Sequence, residues 1–77
     1  MSFTSKHRKR IAAVRCEAAI NFLKRAVDTD PDINGLWATT YRAEDNVKYL
    51  PESDRQQAKE TILWAVNTLR RREMEGA

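Results

Sequence analysis

Between Ile11 and Val27 the apolar residues fall on two opposite sides of a single helix. Ala12, Cys16, Ala19, Leu23 and Ala26 follow spacings of four, three, four and three, and Ala13, Ile20 and Val27 widen that stripe. Recurrence at this period marks an amphipathic helix. The face is rich in small residues, so another helix can approach it closely. A second, narrower stripe of Ile11, Val14, Ala18 and Phe22 lies on the far side. A helix that is apolar on two sides is either central in its fold or shared with another chain.

The same period runs through the rest of the chain, and no segment shows strand alternation. The first helix is expected over about 5–27. The acidic connector 28–35 follows, where Asp30 can cap a new helix with Pro31 at its first position. The second helix is expected from Ile33 or Leu36 to Tyr49. Leu36, Thr40, Ala43, Val47 and Leu50 form its inner stripe, and Ile33, Trp37 and Tyr41 its edge. Leu50-Pro51 ends it. Ser53 and Gln56 have the form of a capping box for a third helix, over about 54–72. Its inner face is Ala58, Ile62, Ala65 and Leu69, with Leu63 and Val66 alongside. The expected fold is all-α, a single domain over 1–77 of three antiparallel helices. It is either a small bundle or a helical hairpin completed by dimerisation.

A chain of 77 residues buries only roughly 60% of its unfolded surface, so its core is thin. Small domains compensate with disulfides, a metal or association. Cys16 is the only cysteine and His7 the only histidine, so neither a disulfide nor a His/Cys metal box is available. Association gains weight, and Ile11, Val14, Ala18 and Phe22 are the expected self-association stripe of a homodimer. No apolar run approaches a membrane span, and the basic N-terminal end 1–10 lacks the apolar stretch of a secretory signal. The expected location is cytoplasmic.

The net charge of +3 is unevenly spread. Residues 1–27 carry seven Lys/Arg against one acid, residues 28–54 two against seven, and residues 55–77 five against three. A chain that is basic, then acidic, then basic can present a polarised surface to a partner.

Catalytic chemistry finds no footing. His7 has no carboxylate nearby in sequence to orient it as a base. Cys16 sits on the small-residue face, where a cysteine acts as a small hydrophobe. No phosphate-cradling glycine loop or serine nucleophile motif is present. Asp30, Asp32 and Asn34 before Gly35 match the first half of an EF-hand calcium loop, but Tyr41 occupies the place of the closing glutamate. No cofactor or metal is expected, and the connector reads as a capped helix start.

Binding is the better reading. Trp64 points away from the third helix's core stripe, among Thr61, Thr68 and Arg71, as an interface hot spot would. Phe3 or the connector could instead fold over it. Lys6, Arg8, Lys9 and Arg10 oppose the dipole at a helix start, which suggests an anionic partner. With Arg70, Arg71 and Arg72 they form the candidate set for nucleic acid. The expected function is a non-enzymatic protein-binding module, an inhibitor or adaptor that works by occlusion. Small helical accessory factors of phages and mobile elements share this size and plainness. The alternative is a small nucleic-acid-binding accessory protein that uses the basic helix ends.

Overall fold

The computed structural model describes residues 2–76, with side chains from 5 to 76. Three α-helices follow one another, α1 (Ser2–Ala26), α2 (Ile33–Asn46) and α3 (Glu52–Gly76). A 3-10 turn, Val47–Tyr49, separates the last two. No strand occurs among the described residues. The fold is therefore the all-α arrangement expected from the helical period.

The core forms where the four-three stripes meet. Cys16, Ala19 and Ile20 of α1 pack with Ala43, Leu50, Ala58 and Ile62. Further along, Leu23 and Val27 pack with Leu36, Ala65 and Leu69. Small residues let α1 and α2 come close, to the point that the Cys16 thiol donates to the Ala43 carbonyl oxygen at 3.4 Å. Thr40 is also buried, and its hydroxyl donates back to the Leu36 carbonyl at 2.8 Å. A threonine thus occupies a core position without an unsatisfied polar atom.

The helix ends differ from expectation in ways that local chemistry explains. Asp32, not Asp30, caps α2: its Oδ1 accepts the Gly35 N–H at 3.0 Å. Asp30 instead accepts the Asp32 N–H at 2.8 Å and fixes the preceding turn. α2 stops at Asn46 and tightens into the 3-10 turn, so it does not run as α-helix to Tyr49. Leu50 is already extended, with ψ at 154°, as a residue before proline prefers. α3 begins at Glu52, ahead of Ser53, so the expected capping box does not form the start. Its first turn holds Glu52 and Asp54, which complement the helix dipole. Arg55 Nε donates to the Leu50 carbonyl at 2.9 Å and ties the turn to α3. α3 also continues past Arg72 to Gly76.

Gly35 is required by a close approach. A Cβ there would collide with Asp32 Oδ2 and stand 2.9 Å from Asp32 Cγ. Losing the cap costs about 0.5–2 kcal/mol, whereas alanine gains about 0.8–1 kcal/mol over glycine inside a helix. Gly35→Ala is therefore expected to bring little or no stabilisation in the native sequence. In the Asp32→Ala background, where no carboxylate is left to displace, it should stabilise. Urea titrations of the four proteins check this, and additive effects would refute the coupling.

The molecule measures 50 × 22 × 16 Å along its principal axes. α1 and α3 each contain 25 residues, against 14 in α2. Residues 5–11 of α1 are all exposed, and its first fully buried residue is Cys16. The basic start of α1 thus projects beyond the packed part of the fold.

Candidate protein-binding surfaces

The second apolar stripe of α1 remains uncovered. Ile11 is 37% exposed and Val14 57%, and Ala18 is exposed as well. Phe22 is half-buried and packs against the Leu23 end of the core. Ala18 and Phe22 line an open groove of about 610 Å³ between α1 and α2. Thr39 lies on the opposite wall, where its hydroxyl donates to the Gly35 carbonyl at 2.9 Å. Arg15 of α1 and Arg42 of α2 also line it. Arg15 also borders an adjoining hollow of about 310 Å³ lined by Arg8, Ile11, Ala12 and Asn46. The two hollows share Arg15 and follow one another along α1, a trough whose apolar lining is Ile11, Ala12, Ala18, Ala19 and Phe22 and whose cations are Arg8, Arg15 and Arg42. Val14 lines neither hollow, so the stripe divides between the trough and the outer surface of α1.

The α3 surface is smaller than the sequence suggests. Trp64 is 39% exposed and Arg71 is exposed, whereas Thr61 is half-buried. Thr68 is 2% exposed and belongs to the core, which corrects its assignment to the binding face. The Arg71 guanidinium approaches its hydroxyl at 3.5 Å. The Phe3 side chain, a possible cover for Trp64, lies outside the described residues. Leu63, expected alongside the core, is instead 61% exposed. Tyr41, expected at the core edge, is 57% exposed and stacks on Trp37 at 5.8 Å. The Trp37 indole N–H donates to the Glu73 carboxylate and links α2 to the end of α3.

The two basic clusters are not brought together. Arg72 Nη1 donates to the Val27 carbonyl at 2.9 Å, which places the Arg70–Arg72 run at the C-terminal end of α1. Arg10 lies seventeen residues back along that helix, roughly 25 Å away. The α3 run does not serve its own helix terminus, since the last turn of α3 has no basic residue. Arg72 instead satisfies the carbonyl of Val27, the residue just past α1. Lys6, Arg8, Lys9 and Arg10 remain exposed on the projecting end.

The remaining candidates are structural. Asp30 and Asp32 spend carboxylate oxygens on backbone N–H groups. No group of three His, Cys, Asp or Glu suited to a metal occurs among the described residues. Cys16 is fully buried. Burial pushes its thiol above the ordinary value of 9.0, and the Glu17 carboxylate acts in the same direction. The protonated thiol is therefore favoured in the native state. Its contribution to stability is fully present below pH 9.0 and is lost as pH rises through the raised value. Unfolding titrations across the alkaline range should show wild-type stability falling more steeply than that of Cys16→Ala. Parallel curves would remove the thiol from the linkage.

No helix among the described residues is long and apolar enough to cross a membrane. The chain matches no family model, and no curated protein or solved structure resembles it at a significant level.

Sequence reasoning passed over Arg15, Arg42 and Thr39 as contributors to a site. One signal was available in α1. Arg8 and Arg15 are seven residues apart and alternate with Ile11 and Ala18, which puts cations and apolar side chains on one helical edge.

Proposed function

We propose that this chain is a non-enzymatic protein-binding module that acts by covering a surface of its partner. The observation that supports this reading is the uncovered stripe of α1, Ile11 and Ala18, continuing into the trough beside α2. Covering them is favourable: fully burying a leucine-sized side chain contributes roughly 1.5–3 kcal/mol, and Ile11, 37% exposed, would gain a part of that. Trp64 on α3 offers a second contact point of the hot-spot type. The same α1 stripe is where a homodimer would form. A nucleic-acid accessory role is the second reading, supported by the exposed Lys6–Arg10 end of α1.

Affinity capture from native lysate, with and without nuclease, separates these readings. Wild-type protein should retain a protein that survives nuclease treatment. Ile11→Glu should lose it, with an unchanged circular dichroism spectrum because Ile11 lies outside the core. Bound material that nuclease releases, and that Ile11→Glu retains, would favour the nucleic-acid role.

A further inference from the structure

We infer that the trough between α1 and α2 receives an acidic amphipathic helix from another protein. The inference rests on the protein-binding reading above and names the chemistry of the partner.

Shape argues for a helix. α1 and α2 are adjacent helices with a groove on each side of their seam. α3 fills one groove, where Ala58, Ile62, Ala65 and Leu69 are its buried apolar residues. The trough is the corresponding groove on the opposite side, with Ile11, Ala18 and Phe22 among its apolar lining and no residue of α3 in it. From Arg8 to Phe22 it follows fourteen residues of α1, about 21 Å. That length takes about four turns of a docked helix, with apolar anchors one turn apart.

Charge argues for an acidic one. Arg8 and Arg15 line the trough from α1, and Arg42 lines it from α2. No carboxylate side chain is among the residues that line either hollow. A helix with leucine-like anchors flanked by Asp or Glu would place its acids against these guanidinium groups, which take carboxylates in bidentate geometry.

A second copy fits poorly. A two-fold pairing across this face would be self-complementary, each residue meeting the same patch in the partner. It would bring the cationic set Arg8, Arg15 and Arg42 against the same set of the other copy, with Arg8 and Arg15 on a segment, residues 1–27, that carries seven Lys/Arg and one acid. Docking the acidic 28–54 segment of another copy into the trough would be heterologous, building a ring or an open filament and not a two-fold dimer.

Fluorescence anisotropy with two labelled peptides of about five turns tests the inference. Both carry leucines at i, i+4, i+7 and i+11. One flanks them with glutamate and the other with lysine. The glutamate peptide should bind at least about tenfold more tightly, with an affinity that falls as salt rises. Arg15→Glu combined with Arg42→Glu alters only exposed side chains and should reverse the preference, with circular dichroism as the folding control. Failure of both peptides to bind, equal binding, or a preference unchanged by the double reversal would each overturn it. Two results separate this failure from failure of the protein-binding reading. A dimer in sedimentation that Ile11→Glu dissociates would sink the acidic-helix inference and leave protein binding standing. A mixed-sequence DNA duplex that binds the trough in place of either peptide, and is lost in the double reversal, would sink both.

Discussion

Leu23→Ala is expected to lower the unfolding free energy by about 2–5 kcal/mol, the range for truncating a fully buried leucine. Leu23 is 0% exposed and sits where all three helices meet, against Val27, Leu36, Ala65 and Leu69. A domain of 77 residues has only roughly 4–12 kcal/mol in total. The substitution therefore removes a large part of the margin that keeps the chain folded. Partial collapse of the neighbours cannot recover much, since Leu36 and Leu69 are themselves held by helices tied down elsewhere. Leu23→Met keeps most of the volume and should cost less than about 1.5 kcal/mol. Urea denaturation followed by circular dichroism measures both. A loss below about 1 kcal/mol for the alanine variant would show that this part of the core is not close-packed.

Ala43→Leu should be nearly as damaging, for the opposite reason. Ala43 is 0% exposed, and its carbonyl lies 3.4 Å from the Cys16 sulfur of the adjacent helix. A longer side chain must either push α1 away from α2 or adopt a poor rotamer, at about 1–3 kcal/mol. Separation of the helices would also disturb Ala19, Ile20 and Leu50 in the same cluster. Cys16→Ala removes a sulfur from the seam and should restore part of the loss. The double-mutant cycle is then non-additive. Equal costs of Ala43→Leu with and without Cys16 would show that the strain is relieved somewhere other than this contact.

Much of the packing could be read from spacing. The four-three pattern identified Cys16, Ala19 and Leu23 on α1, and Leu36, Thr40 and Ala43 on α2, all of them buried. The errors lie where neighbours, not period, decide. On α3 the buried arc turns toward Thr68 and away from Leu63, because partners cover only one side of that helix. A threonine beside an arginine reads as surface unless the crossing of another helix is known. The α2 cap moved from Asp30 to Asp32 because two nearby carboxylates compete for N–H groups, and only Asp32 reaches Gly35. The trough was half visible. Its stripe on α1 shows in the sequence. Arg15 as a lining residue and Val14 as an outsider depend on which side of α1 receives α2. The tie from Arg72 was hidden for the same reason, since its acceptor is the carbonyl of a residue 45 positions away.

The projecting start of α1 sets a clock along that helix. Its side chains are exposed from residue 5 to residue 11, its first turn has no acidic residue, and Lys6, Arg8, Lys9 and Arg10 work against the helix dipole. Opening of this segment needs no disruption of the core, so it is a local event, far cheaper than global unfolding. Deuterium uptake should be fast over residues 5–11, slow from Cys16 to Val27, and graded between them. A helix seated in the trough would lie over Ile11 and steady the same turns. Binding would then be recorded as a delay in uptake on α1, in a stretch whose free-state rate the bare protein already defines.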